Sequence, residues 1–243
     1  MPKLEYKLDF VAQTQEKGSI PVIIVAAGSS VRMQGISKQF ITLCGIPAVV
    51  HTMVAFQNAP QISRIILVTK EEFINEIQLL ADKYMISKLS DIVVGGNTRQ
   101  DSVKNGLDCL GDEEFVLIHD GARPLVSAEI IERVCSALSD ADAVICAVKV
   151  KDTIKRVDDK NTVLETIPRD MLYNVQTPQG IKVNKYRDAI KSVNLSNFTD
   201  DASILEAAGA VVKIVEGEYQ NIKITTPDDI GIAEYYLEKG ENK

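Results

Sequence analysis

Short apolar runs alternate along this chain with segments of helical spacing, and that alternation constrains the fold more than any other feature. Residues 22–27 (Val-Ile-Ile-Val-Ala-Ala) are apolar throughout and stop at Gly28. Similar runs occupy 64–69, 91–94, 115–119 and 143–148. A short apolar run without polar alternation reads as a strand covered on both faces. Between these runs, residues 49–56, 71–85, 102–110 and 127–138 place apolar residues at helical intervals. Helices are also expected at 202–208 and 228–239, with a strand at 211–215. The pattern predicts an α/β fold with a mostly parallel sheet. Such sheets bind ligands beyond the carboxyl ends of their strands. Polar signals cluster there, after Ala27, after Val94 and after His119.

The rhythm breaks between about 150 and 170. Residues 151–157 and 162–167 each alternate in polarity around the turn-rich Asp158-Asp159-Lys160-Asn161. This predicts a β-hairpin projecting from the sheet. A lone hairpin is marginally stable in water, so a second copy of the chain is its expected partner. Residues 1–18 read as a loosely ordered extension or an expression remnant, and 19–243 as one domain carrying the arm.

The formal net charge of −7 argues against broad binding to nucleic acid or anionic membrane. No apolar stretch approaches bilayer length, and the N-terminus lacks the apolar core of a signal peptide. Cys44, Cys109, Cys135 and Cys146 form no CxxC pair, and His51 and His119 are the only histidines. The cysteines therefore read as small core residues rather than zinc ligands, in a protein of the reducing cytoplasm.

The strongest chemical signal is Ala-Ala-Gly-Ser-Ser-Val-Arg-Met at 26–33, with Lys38 and Gln39 close behind. Small side chains at a strand end let backbone N–H groups approach an anion, and Arg32 and Lys38 add positive charge. The loop matches neither the GxGxxG dinucleotide fingerprint nor the GxxxxGK[ST] phosphate loop. Each element has a plainer reading: a strand-to-helix turn for the loop and a solvated charge for Arg32.

Further motifs follow in order: Lys-Gln-Phe at 38–40, Gly-Gly-Asn-Thr-Arg-Gln-Asp-Ser-Val at 95–103 and His-Asp-Gly-Ala-Arg-Pro at 119–124. Then come Lys-Asp-Thr-Ile-Lys at 151–155, Gln-Thr-Pro-Gln at 176–179, Thr-Asp-Asp-Ala-Ser at 199–203 and Asn-Ile-Lys-Ile-Thr at 221–225. In this series the chain resembles the 2-C-methyl-D-erythritol 4-phosphate cytidylyltransferases, a family of Rossmann-like nucleotidyltransferases. The resemblance runs from Pro21 to the last helix.

It implies that a phosphate oxygen of methylerythritol 4-phosphate attacks the α-phosphorus of CTP and pyrophosphate leaves. It implies catalytic roles for Arg32, Lys38 and Lys223, and a cytidine site at Ala26, Ala27, Gly28, Gly95, Asn97 and Ser102. Relatives often carry Asp at position 97, so Asn97 forgoes charge-assisted bonding there. The sugar phosphate falls to Asp120, Arg123, Thr153, Arg169, Thr199 and Thr225. Arg169 and Thr153 lie on the arm, which in the family crosses to the other subunit of a homodimer. Mg²⁺ or another divalent cation is implied, held mainly by CTP phosphates without a dedicated protein cage. Asp120 is the usual suspect for a direct ligand, but the resemblance places it nearer the sugar phosphate's hydroxyls and the metal's surroundings. His51 and His119 are expected to be structural, since a phosphate monoester is already largely ionised near neutral pH.

Other readings stay open. A ribitol 5-phosphate cytidylyltransferase shares the fold and most motifs. A non-catalytic nucleotide-binding protein on this fold would be marked by loss of Arg32, Lys38 or Lys223, and all three are present.

Overall fold

The computed structural model describes residues 18–28, 40–193, 198 and 200–240. Its centre is a seven-stranded sheet in the order β11-β7-β10-β6-β1-β4-β5. Strands β1 (Ile20–Val25), β4 (Ile62–Thr69), β5 (Leu89–Val94) and β6 (Phe115–Asp120) form a parallel block. Strand β10 (Tyr173–Lys182) runs antiparallel to both β6 and β7 (Ala143–Lys149), and β11 (Val212–Glu216) pairs parallel with β7.

The apolar runs are buried on both faces, as expected of strands sandwiched between helices. Val22 and Ile24 of β1, Ile65 and Leu67 of β4, and Leu117 of β6 pack on one side. Helices α1 (Ala48–Asn58), α2 (Ile74–Lys83) and α4 (Ala128–Ala137) cover that side. Ile23, Ile66, Val68 and Ile118 pack on the other, under α3 (Arg99–Leu107), α5 (Val183–Ser192) and α6 (Asp201–Ala207). The two-residue strands β2 (Thr42–Leu43) and β3 (Ile46–Pro47) form a small hairpin. It shares a third cluster with α7 (Asp228–Gly240) through Ile41, Leu43, Ile224 and Ala233.

Two expectations need correction. Residues 173–192 carry β10 and α5, where no element was expected. Pro178 and Gly180 argue against a central strand, yet Gln176 to Ile181 is buried between β6 and β7. The β7 ladder skips from Val175 to Gln179, so the proline sits where no ladder donor is needed. Helix α3 begins at Arg99 rather than Ser102 because Thr98 and Asp101 form a capping box. The Thr98 hydroxyl accepts from the Asp101 N–H, and the Asp101 carboxylate accepts from the Thr98 N–H, both at 3.0 Å.

The hairpin is present as β8 (Ile154–Val157) and β9 (Val163–Ile167), a sheet of its own. Ile154, Val157, Val163 and Leu164 are exposed. Arg169 donates to the Lys151 carbonyl and closes the base of the arm. Cys146 is buried and the other three cysteines are half-buried. Burial pushes the Cys135 and Cys146 thiols up to about 12, which leaves them unreactive at neutral pH. No helix among the described residues is long and apolar enough to cross a membrane.

Candidate active site

Strand register brings the ends of the parallel block level. Val25 pairs with Val68 and Asp120, and Thr69 pairs with Val94. The chain segments leaving these ends are laced together by their backbones. Ala26 N donates to Val68 O, Gly95 N to Thr69 O, and Gly121 N to Val25 O, at 2.7, 2.7 and 2.9 Å. They enclose a cavity of about 660 Å³, lined by Ala26, Ala27, Gly28, Gly95, Asn97 and Ser102 among others. These are all six residues assigned to cytidine from the sequence. A Cβ on Gly95 would lie 2.3 Å from the Ala27 Cβ, so glycine is required for this approach. The early start of α3 puts Ser102 inside the helix, where its hydroxyl donates to Thr98 O and accepts from Gly96 N.

A second cavity of about 450 Å³ opens beside the first, lined by Arg123, Gln176, Thr177, Gln179, Asp200 and Ser203 among others. Three side chains line both cavities: Arg99, Asp120 and Lys223. Asp120 is the hub. Its Oδ2 lies 2.8 Å from Lys223 Nζ and 3.8 Å from Arg123 Nε, and its Oδ1 lies 3.3 Å from Arg99 Nε. Burial opposes its charge, but Arg99, Lys223 and Arg123 outweigh burial and hold the carboxyl well below the usual carboxylate range.

Lys223 owes its place to its neighbours. Ile222 and Ile224 pack into the cluster beneath α7. Ile224 N donates to Ala122 O at 2.8 Å. Buried Asn221 donates to Thr177 O at 2.9 Å, and its own carbonyl accepts from Arg123. Thus motifs 119–124, 176–179 and 221–225 form one interlocked unit. Gln179 extends it by donating to Asp200 and accepting from Ala202 N at the start of α6.

His119 lies inside this unit, fully buried. The Asp120 N–H donates to the Thr177 hydroxyl, and the Thr177 O–H donates to His119 Nδ1. His119 Nε2–H then donates to the Arg123 carbonyl. The carbonyl can only accept, so Nε2 carries a proton, and full burial keeps the imidazole neutral. Burial pulls its pKa from 6.5 down to about 4. Below pH 6.5 the unfolded chain takes up a proton that the native one refuses. The stability from neutral His119 is therefore full above that pH and drains as pH falls towards 4, by roughly 3 kcal/mol in all. His119→Gln should be less stable at pH 7.5 and show a flatter fall in denaturant midpoint down to pH 5. An unchanged slope would contradict this role. His51, also buried with a lowered pKa, donates to the Leu43 carbonyl.

The remaining sequence candidates lie elsewhere. Thr225 lines the first cavity, with its hydroxyl bonded to Asp229 at 2.9 Å. Thr153 and Arg169 are exposed on the arm and line neither cavity. Arg32, Lys38 and Thr199 lie outside the described residues. Sequence reasoning missed Lys70 and Arg99 as lining residues. Lys70 follows the carboxyl end of β4, so the strand-end rule could have found it. Among the described residues no group of three or more His, Cys, Asp or Glu side chains is placed to hold a metal.

Comparison with known proteins agrees with this architecture. The family model described as 2-C-methyl-D-erythritol 4-phosphate cytidylyltransferase matches residues 20–239. The enzyme of that name from Bacillus mycoides is 45% identical over 219 residues, covering 89% of this chain and 96% of that protein. Its counterpart from Halalkalibacterium halodurans is 42% identical over 225 residues, covering 91% and 98%. The solved 4-diphosphocytidyl-2C-methyl-D-erythritol synthase of Anaerococcus prevotii superposes with a TM-score of 0.80 at 36% identity, covering 91% of this chain and 96% of that one. With the match spanning the sheet, both cavities and the arm, the chain belongs to the 2-C-methyl-D-erythritol 4-phosphate cytidylyltransferase family.

Proposed function

We propose that this chain joins 2-C-methyl-D-erythritol 4-phosphate to the CMP half of CTP, a step of isoprenoid precursor synthesis, in the cytoplasm. The observation that carries the reading is the pair of cavities meeting at one shared wall, where the cations Arg99 and Lys223 flank the Asp120 carboxylate. CTP fits the first cavity and the sugar phosphate the second. A phosphate oxygen of the sugar phosphate forms a bond to the α-phosphorus of CTP. The bond from that phosphorus to the α,β-bridging oxygen breaks, and its electron pair leaves with pyrophosphate.

Two polyanions must meet for this, so the chain's task is alignment and charge relief. Lys223 has three N–H donors and can keep Asp120 while offering others to phosphate. Arg32 and Lys38 supply further charge from the 26–40 segment. Backbone groups of Ala26, Ala27 and Gly95, with Ser102 and Asn97, select the base; a site that hydrogen-bonds a specific group strongly rejects an analogue lacking it. Asp120, Arg123 and Thr199 bind the sugar phosphate, and Thr225, which lines the first cavity, approaches it from the CTP side. The acidic donor at the shared wall is Asp120, already engaged by cations, which suits a Mg²⁺ carried on phosphate oxygens and reached by at most one carboxylate. When bound, Mg²⁺ supplies neutralisation of the triphosphate charge.

The exposed apolar arm supports a homodimer in which Thr153 and Arg169 complete the partner's sugar-phosphate site. Arg169→Ala and Lys223→Ala proteins should each be nearly inactive. Unfolded and refolded together, they should regain about a quarter of wild-type activity, because half the dimers then hold one intact site. Activity that stays at the level of the separate variants would refute the shared site.

A further inference from the structure

Arg99 is held from two sides. Its Nε faces Asp120 at 3.3 Å, and its Nη1 lies 2.7 Å from Asp201 Oδ2. Asp201 opens α6, is fully buried and lines neither cavity. Its other oxygen accepts from the hydroxyl of Tyr186, itself 1% exposed in α5. A chain of contacts thus runs from the core, through Tyr186, Asp201 and Arg99, to Asp120 at the junction of the cavities.

A buried ion pair is weak evidence for stability, since apolar side chains of similar volume often hold a core as well or better. Helix α6 buries Ala202, Ile204 and Leu205 against the same sheet face, so an apolar residue at 201 would suit the packing. What an apolar residue cannot do is fix a guanidinium. Of Asp120's other cations, Lys223 has a side chain 42% exposed and is a mobile point charge where arginine is a planar fork. Arg123 stands farther off, at 3.8 Å, with its Nη1 committed to the Asn221 carbonyl. Arg99 is therefore the rigid support of Asp120, and Asp201 makes it rigid.

We propose that Asp201 is a positioning residue for the transfer reaction, holding Arg99 so that Asp120 stays aimed at the junction of the two cavities. The inference rests on reading those cavities as the nucleotide and sugar-phosphate sites. Freed from Asp201, Arg99 turns wholly onto Asp120, and the carboxylate moves with it. A misplacement of about 1 Å at such a site can cost on the order of 10²-fold in rate.

The test is a double-mutant cycle read by steady-state kinetics with CTP and the sugar phosphate. Asp201→Asn should lower kcat at least roughly tenfold, leave the CTP KM nearly unchanged, and have no further effect in an Arg99→Gln background. A wild-type kcat, or an equal loss in both backgrounds, would overturn the proposal, whatever happens to the melting temperature. If Asp201→Asn does not fold, Tyr186→Phe frees one oxygen of the same carboxylate. It should lower kcat only where Arg99 is present, and an unchanged kcat would count against the inference. Wild-type protein that fails to turn over these substrates would instead refute the functional reading beneath it.

Discussion

Lys223→Ala is expected to lower kcat by roughly 10²–10³-fold while the protein stays folded. The side chain sits on the wall common to both cavities, 2.8 Å from Asp120. Its backbone is anchored independently, by Ile222 and Ile224 below and by the Ile224 N–H on Ala122. Removing a half-exposed ammonium leaves those anchors in place, so the loss falls on the transition state rather than on the fold. Cation donors in a site that excludes water act mainly where charge develops. Melting curves matching wild type, together with the kcat loss, are the expected pair of results. Near-normal turnover in the folded variant would remove Lys223 from the mechanism.

Asp120→Asn should be damaging in a different way. The carboxylate is the common counter-charge of Arg99, Arg123 and Lys223. An amide of the same shape leaves three cations facing one another with only Asp201 to offset them. Breaking a buried pair by neutralising one partner costs about 3 kcal/mol or more, so a lower melting temperature is expected even though shape is conserved. The cations then rearrange, and kcat/KM for the sugar phosphate should drop by roughly 10²-fold or more, with a smaller change in the KM for CTP. The two substrates' KM values, measured separately, distinguish this from a general loss of folded protein. Equal losses for both substrates would place Asp120 outside the second cavity's chemistry.

Much of this architecture is written locally. Ile23 and Ile24 announce a strand because both sheet faces are covered, so the run needs no polar alternation. The arm is legible for the opposite reason, since its strands alternate and both faces are open. Strand β10 is illegible because its buried residues are polar and satisfied from far away. Gln176 bonds to Glu218, Gln179 to Asp200, and Thr177 to Asp120 and His119. Helix α5 follows β10 directly, with no side-chain cap to mark its start.

The site divides along the same line. The loop at 26–28 and the Gly95-Gly96 turn read from sequence because their chemistry is backbone approach, which small residues advertise. Arg99 lies inside a visible motif, yet its role depends on Asp201, about a hundred residues away in sequence and carried by a different helix of the same sheet face. Only tertiary structure joins that pair.

The central claim is most directly tested by pyrophosphate release from CTP and Mg²⁺, with 2-C-methyl-D-erythritol 4-phosphate and ribitol 5-phosphate supplied separately. The account predicts release with the first and little with the second. Preference for ribitol 5-phosphate would contradict the proposed substrate, and silence with both would contradict catalysis at this site.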